Sequence, residues 1–369
     1  MKKLVLLLSI AIISFFLFKT YLKPKQVSII TPNNAPTTST IQTPTKNIEN
    51  SSTYSLFIPY WKTSLLNDKI SIPRIADMTD EEIKPIYFGL SVDENGLMKD
   101  EIGFKNLPQF ISNFDSKPMA ITIRMLNDDT NIKILKNPDY QNNAIESLDR
   151  FLTDYSFSEI ILDLELKSLP TEEVINQINQ FVKKVADKTH QHNLIFSMTI
   201  YGDVFYRQRP FDIQKLSSWT DRFYIMTYDF HKSYGLPGPN FPLEKNENDN
   251  YDMKLLIDDL LRFTSSEKIV VVFGLYGYDW TVDEKGRPLK SAKAITLNQI
   301  HDKFLNDCPY KSCVIERDNH SSESHITYID EQGKKHDLWF EDEKSIAQKI
   351  SFLKSKNISS YSFWTFGYF

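Results

Sequence analysis

The sequence predicts an α/β fold, a (β/α)₈ TIM barrel with a small α+β insertion between its seventh and eighth strands. Three observations support this prediction. From Tyr54 onward, eight short segments rich in apolar, β-branched or aromatic residues recur, and none alternates strictly between apolar and polar residues, which is typical of strands buried on both faces. Helical patterns separate most of these segments. Residues 54–369 also exceed the roughly 250 residues of a typical barrel, which leaves room for an insertion.

The eight predicted strands follow one another along the chain. Their segments are 55–60, 85–92, 119–125, 159–166, 194–201, 222–228, 268–276 and 360–365. After the fourth segment comes an apolar stripe at helical spacing, made of Val174, Ile178, Phe181, Val182 and Val185. Residues 252–263 and 346–353 have similar patterns. Strands that alternate with helices imply a parallel sheet with right-handed crossovers, and eight such units suit a closed barrel.

The extra residues are placed at about 281–338, where the chain is polar and hairpin-like. The two cysteines of the chain, Cys308 and Cys313, lie in this insertion. In an exported protein, two cysteines this close favour a local disulfide, with a pair of free thiols as the alternative. Two cysteines alone do not complete a zinc site.

Residues 1–22 read as a targeting segment, because two lysines precede an uncharged apolar stretch at 4–18. That stretch suits a signal-peptide core and is short for a membrane span, but no small-residue cleavage site follows it. An uncleaved anchor is therefore favoured over a cleaved signal peptide. Either one places the rest of the chain outside the cytoplasm. Residues 23–53 are rich in Thr, Pro and Asn and are interpreted as a disordered linker.

Composition limits the classes of partner. The net charge of −5 argues against nucleic acid, and the 11 glycines include no phosphate-binding or dinucleotide-binding motif. The aromatic content of 13% favours, weakly, a ligand on which rings can stack, such as a sugar. The histidines show no metal-ligand spacing, so neither a metal nor a cofactor is expected. The protein is expected to be a monomer that meets the membrane through its N-terminal segment.

The candidate catalytic residues lie at strand ends, since the active site of such a barrel lies at the C-terminal ends of its strands. Asp163 and Glu165 end the fourth strand and point to the same face because strand side chains alternate. Two carboxylates inside a barrel are costly to bury, and their proximity should raise the pKa of one of them, which suits a general acid. The alternative is a surface salt bridge with Lys167.

Other candidates end the sixth and eighth strands. Tyr228 and Trp364, taken singly, could simply pack in the core, and Asp229 could cap a loop. His231 could be a ligand or a base, but packing in the loop is favoured. Together, a tyrosine, an acid and a large aromatic ring around Glu165 suit a reaction on a sugar with an oxocarbenium-like transition state.

At these positions the sequence resembles glycoside hydrolase family 18, the chitinase-type barrels, over nearly all of residues 54–369. The strongest motif is Met-Thr-Tyr-Asp-Phe-His at 226–231, which continues to 243. Further matching motifs are Gly-Leu-Tyr-Gly-Tyr-Asp-Trp at 274–280, Trp-Phe-Glu-Asp at 339–342 and Ser-Phe-Trp-Thr-Phe-Gly at 362–367. These segments are most similar to bacterial members that act on peptidoglycan, including spore-cortex N-acetylglucosaminidases.

The resemblance implies retaining, substrate-assisted hydrolysis of β-1,4 bonds in an N-acetylglucosamine-containing polysaccharide, either peptidoglycan or a chitin-like polymer. It implies that Glu165 protonates the leaving oxygen and that Asp163 orients the substrate's acetamido group. Tyr228 would bond to that acetamido group, which makes it the third catalytic residue. The implied substrate-binding residues are Asp229, Met226, Trp364, Tyr60 and Tyr276.

One departure from the family is serious. The family signature on the fourth strand is Asp-x-x-Asp-x-Asp-x-Glu, and here its four positions hold Ser158, Ile161, Asp163 and Glu165. An active enzyme is favoured, with a catalytically weak or inactive carbohydrate-binding protein, a chitinase-like lectin, as the alternative. Asp163 is expected near water and therefore more readily ionised than in a site with three carboxylates.

Overall fold

The computed structural model describes residues 52–66, 83–247 and 250–369. The strands in chain order are β1 (Thr53–Pro59), β2 (Ile83–Asp93), β3 (Gly96–Leu97), β4 (Ala120–Met125), β5 (Glu159–Leu164), β6 (Ile195–Tyr201), β7 (Arg222–Thr227), β8 (Ile269–Gly274), β9 (Tyr276–Val282), β10 (Lys293–Thr296), β11 (Lys311–Arg317), β12 (Ser324–Ile329), β13 (Lys335–Phe340) and β14 (Ser360–Trp364).

The α-helices in chain order are α1 (Ile102–Lys105), α2 (Leu107–Phe114), α3 (Asp128–Lys136), α4 (Pro138–Asp154), α5 (Glu172–Gln191), α6 (Ile213–Leu216), α7 (Met253–Leu260), α8 (Leu297–Ile300) and α9 (Glu343–Ser355). Short 3₁₀ turns cover Tyr60–Leu65 and Ser266–Lys268, and a π-helical turn covers His301–Leu305.

Eight parallel strands close into a barrel. Their order is β1-β14-β8-β7-β6-β5-β4-β2, and the ring closes because β1 also pairs with β2. Leu56, for example, faces Phe363 on one side and Pro85 on the other. The predicted TIM barrel is therefore confirmed, and the strand ends differ from the prediction by only a few residues.

Two apolar cores flank the barrel wall, which explains why the strands lack polar alternation. Ile160, Leu162 and Leu164 of β5 pack in the large cluster shared with the helices. Ile161 points the other way, into a smaller cluster inside the barrel. That inner cluster consists of Phe57, Ile86, Phe88, Ala120, Ile161, Tyr224, Val270 and Val272.

The longest helix of the described residues, α5, follows the fourth barrel strand as predicted. It begins after Thr171, whose side chain accepts a hydrogen bond from the Val174 backbone N–H. Its predicted stripe is buried at Ile178, Phe181, Val182 and Val185 and half-buried at Val174. Burial of this face against the strands stabilises the helix more than its intrinsic propensity does.

The insertion is an antiparallel sheet of five strands, in the order β10-β9-β13-β12-β11. It extends from Tyr276 to Phe340, beyond 281–338 at both ends, because β8 stops at Gly274 and Tyr276 already belongs to the second sheet. Gly277 of β9 allows close approach to β13, since a Cβ atom there would overlap the carbonyl oxygen of Trp339.

The predicted membrane segment at 1–22 lies outside the described residues, as does nearly all of the predicted linker at 23–53. None of the helices in the described ranges is both long and apolar enough to cross a membrane.

Cys308 and Cys313 form a disulfide in the insertion. Both cysteines pack against a local apolar core that includes Phe304, Tyr328 and Leu338. The bridge joins the segment after the π-helical turn to the exposed strand β11. It therefore constrains a local part of the insertion and does not connect it to the barrel.

We predict that replacing both cysteines with serine destabilises the insertion locally, by about 2 kcal/mol or less, because the bridge closes a loop of only a few residues. Hydrogen exchange should accelerate in β11 and remain unchanged in barrel strands β5 and β6. A single Ser265→Ala variant, outside the insertion, serves as the control. Faster exchange throughout the barrel would contradict this local role.

Candidate active site

A cavity of about 110 Å³ opens at the C-terminal ends of the barrel strands. Its lining includes Glu165, Tyr201, Met226, Tyr228, Asp229 and Lys232. A larger cavity, of about 390 Å³, lies at the opposite end and includes Lys84 and Arg222, but both of these cations already pair with the buried Glu159. We place the active site in the smaller cavity, because the C-terminal face is where barrels assemble catalytic groups.

Asp163 projects from β5 into the barrel and is only 3% exposed. The Thr199 hydroxyl donates a hydrogen bond to its Oδ1. Burial, assisted by the charge of Glu165, raises the pKa of Asp163 to about 7, against the opposing effects of the Thr199 hydrogen bond and the Arg124 charge. The expectation that Asp163 lies near water is therefore wrong, because the side chain is almost fully buried. That it ionises more readily than in a site with three carboxylates stays a prediction.

Glu165 follows β5 and is half-buried at the cavity. The Tyr201 hydroxyl donates to its Oε2 at 3.2 Å, and its backbone carbonyl accepts a hydrogen bond from the Asn131 amide at 2.8 Å. Burial raises the pKa of Glu165, although Tyr201 and Lys232 favour its charged form. The salt bridge considered for Lys167 is not formed with Glu165 among the described residues.

The two carboxyl groups act as one titrating unit. Burial raises the pKa of each, and the charge of Glu165 further raises that of Asp163. When two such groups interact closely, protons leave in two steps that belong to the pair. The pair can therefore retain one proton near neutral pH, which is what a general acid requires.

Tyr228 follows β7 and faces this pair. Burial and the nearby carboxylates Asp163, Asp229 and Glu165 raise the pKa of Tyr228 well above 10. Its hydroxyl is therefore protonated at any physiological pH and can donate a hydrogen bond to an oxygen in the cavity.

Asp229 has a left-handed backbone, with φ of 58°. Both Tyr276 and Tyr278 donate hydroxyl hydrogen bonds to its Oδ1, the latter at 2.8 Å. Tyr276 thus holds Asp229 in place, and Tyr278, which the sequence analysis did not single out, does the same. Met226, at the end of β7, lines the cavity beside them.

Trp364 ends β14 and covers the inner cluster. Its ring lies 4.7 Å from that of Phe88 and 6.5 Å from that of Tyr228, stacked on the latter. Tyr60 follows β1 and its ring contacts Arg124. The Arg124 guanidinium lies 5.1 Å from the Tyr60 ring centre. Ile161 is fully buried below Trp364, two residues before Asp163.

Sequence reasoning missed the residues that hold the acids. Thr199 and Tyr201 of β6 hydrogen-bond to Asp163 and Glu165 respectively. Arg209 lies 3.9 Å from the Tyr201 ring centre and is itself held by two 2.9 Å hydrogen bonds to Asp203. The i, i+2 spacing of the two hydroxyl residues at a strand end was the available signal, since alternate strand residues share a face.

No group of three His, Cys, Asp or Glu side chains suited to a metal ion occurs in the described ranges. His231 has its Nδ1 2.9 Å from the Pro239 carbonyl oxygen, within the loop after β7. This contact fits the packing role favoured for it.

Comparisons with known proteins found similar sequences. The sequence model of Glycosyl hydrolases family 18 matches residues 99–368. The cortical fragment-lytic enzyme of Bacillus subtilis is 26% identical over 250 residues, which are 66% of this chain and 52% of that enzyme. The chain thus spans about half the length of this relative.

Solved structures show the same fold. The spore cortex-lytic enzyme SleL of Bacillus cereus superposes with a TM-score of 0.65 and 20% identity, over 86% of this chain and 71% of that one. Human YKL-39, described as a pseudo-chitinase with retained chitooligosaccharide binding, gives a TM-score of 0.68 at 15% identity, over 85% of this chain and 92% of that one.

We predict that Asp163→Asn stabilises the protein increasingly as pH rises from 5 to 8. The carboxyl pKa is raised from 3.8 to about 7 on folding, so its stabilising neutral form is lost as pH passes through about 7. Asparagine stays neutral, so its stabilising effect should be larger at pH 8 than at pH 5 by about 2–3 kcal/mol, since about two pH units separate pH 5 from the folded-state pKa and each is worth about 1.4 kcal/mol. Thermal unfolding at both pH values measures this, with the exposed Asp187→Asn as the control. An equal difference at both pH values would contradict the raised pKa.

Proposed function

The chain belongs to glycosyl hydrolases family 18, and on that premise we propose that it hydrolyses β-1,4 bonds of an N-acetylglucosamine-containing polysaccharide. The observation that carries this proposal is the acid pair at the catalytic face, in which Glu165 lines the cavity, Asp163 is buried beside it, and burial raises the pKa of both. Relatives named for lysis of the spore cortex favour a bacterial cell-wall glycan over chitin.

In the proposed mechanism, Glu165 donates its proton to the leaving glycosidic oxygen as that bond breaks. The substrate's acetamido oxygen forms a new bond to the anomeric carbon, which gives an oxazolinium ion. Asp163 stabilises the positive acetamido nitrogen, and the Tyr228 hydroxyl orients the acetamido group. Glu165 then takes a proton from water, which opens the ring with net retention.

The surroundings of Glu165 support its action as an acid in the first step and as a base in the second. Tyr201 and Lys232 favour the charged form of Glu165, which lets it act as a base in the second step, while burial favours the protonated form needed in the first. We propose that a sugar ring packs against the Trp364 ring, whose centre lies 6.5 Å from that of Tyr228.

A second candidate function is glycan binding without turnover. Ile161 favours it, because an aliphatic side chain fills the position of a family carboxylate and is packed in the inner cluster. The likeness to a pseudo-chitinase shows that this fold also accommodates binding alone. The retained Glu165 favours hydrolysis.

We also propose that the chain acts outside the cytoplasm, held by the apolar segment at 4–18 as an anchor or exported by it as a signal peptide. The Cys308–Cys313 disulfide supports this location, since such bonds persist in oxidising compartments.

We predict that Glu165→Gln lowers kcat/KM on an unactivated glycan by about 10²–10⁴-fold, because glutamine keeps the shape but supplies no proton. Release of reducing ends from peptidoglycan and chitooligosaccharides measures this. Glu172→Gln, exposed at the start of α5, should retain the native rate. A Glu165→Gln variant with a rate close to native would show that Glu165 is not the general acid.

We predict that Ile161→Asp leaves the enzyme active but moves the acidic limb of its kcat/KM profile to higher pH. A third buried carboxylate adds like charge and raises the pKa of Asp163 further. Ile161→Asn loses the same packing without the charge, so it should keep the native limb. If Ile161→Asp instead creates activity that the native chain lacks, the native protein is a glycan-binding protein.

A further inference from the structure

A buried triad of charged residues lies between the insertion and α9. Lys349 donates to Glu323 Oε1 at 2.8 Å and to Glu341 Oε2 at 2.5 Å, and all three side chains are completely buried. Burial raises the pKa of Glu341 to about 8, more than Lys349 lowers it.

Glu323 makes contacts that Glu341 does not. Its Oε2 accepts a hydrogen bond from the Asn240 backbone N–H at 2.6 Å, and its Oε1 accepts one from the Phe241 backbone N–H at 2.8 Å. Both bonds are charge-assisted and fully buried. The hydrogen bonds of the Glu341 side chain in the described residues involve Lys349 and Ser345.

Asn240 links Glu323 to the active-site residue Asp229 through hydrogen bonds. Its Oδ1 accepts the Asp229 backbone N–H at 2.8 Å, and its backbone carbonyl accepts the Phe230 N–H at 2.8 Å. Its Nδ2 donates to the carbonyl of Tyr276 at 3.2 Å. Asp229 needs such support, because its left-handed backbone is unfavourable for a residue with a side chain.

A buried ion cluster seldom stabilises a protein more than apolar packing would, so stability alone explains this triad poorly. A hydrogen bond between the Asp229 N–H and the Asn240 side chain joins the two ends of the loop from Asp229 to Asn240. A second hydrogen bond, from the Asn240 N–H, joins the loop to Glu323, which lies more than 80 positions further along the chain. The attachment is short, buried and directional.

We propose that Glu323, held by Lys349, is a positioning residue that sets the geometry of Asp229 through Asn240. The part of this inference that concerns glycan affinity rests on the proposed function, whereas the part that concerns loop geometry does not. The insertion thereby contributes to the active site through the hydrogen bonds of Glu323, which lie outside the substrate cavity.

The test compares Glu323→Gln with Glu341→Gln in the full-length chain. Each variant removes one carboxylate from the same triad, but only the first places an amide NH₂ against the backbone N–H groups of Asn240 and Phe241. Hydrogen exchange across residues 229–241 should accelerate at least tenfold in Glu323→Gln and stay native in Glu341→Gln. Equal exchange in the two variants would overturn the proposal, since the triad would then be merely structural.

Affinity is measured in the Glu165→Gln background, where glycan is not consumed. The Kd for chitotetraose and for a peptidoglycan disaccharide polymer should rise at least tenfold when Glu323→Gln is added and less than twofold when Glu341→Gln is added. Equal affinity in all three proteins would overturn the positioning role. If the Glu165→Gln protein binds neither glycan, the proposed function fails, and the exchange experiment alone decides the inference.

Should Glu323→Gln fail to fold, Asn240→Ala decides, because it leaves the triad intact and removes the link to Asp229. It should accelerate exchange at the Asp229 amide, which loses its side-chain acceptor, and raise the same Kd values at least tenfold. Native exchange at the Asp229 amide in a folded Asn240→Ala variant would overturn the proposal.

Discussion

Closure of the barrel is the constraint on which the active site depends. Because β1 pairs with both β14 and β2, the C-terminal ends of all eight parallel strands meet at one rim. Hydrogen bonds then join Asp163 to Thr199 and Glu165 to Tyr201, each pair 36 residues apart in the sequence. An open sheet of the same strands would separate β1 from β2 and spread the strand ends along one edge.

The same closure creates the low-dielectric interior that sets the acidity of the pair. Ile161 fills the inner cluster beneath Asp163, so desolvation, and not a third carboxylate, is the main cause of the raised pKa of Asp163. Burial and like charge act in the same direction on an acid. An aliphatic residue can therefore replace a carboxylate at this position and still leave a pair that holds a proton near neutral pH.

The insertion supports the active site through hydrogen bonds to Asp229. Tyr276 and Tyr278 lie two residues apart on β9, so both side chains face the same way and both bond to Asp229. The loop after β7 is thus held by β9 on one side and by Glu323 on the other. Such a loop loses little conformational entropy when a ligand binds, because it is already ordered.

The sequence by itself determined the barrel, because segments of β5 such as Ile160–Leu164 are apolar on both faces, and it determined Asp163 and Glu165 as partners, because strand alternation is a local rule. Only the tertiary structure decided that Asp163 is desolvated, that Thr199 and Tyr201 hold the acids, and that Glu323 anchors Asn240. These features depend on which strands become neighbours and how far water is excluded. Both are set by the closed three-dimensional packing, and the spacing of Thr199 and Tyr201 indicates a shared face but not which side chains they contact.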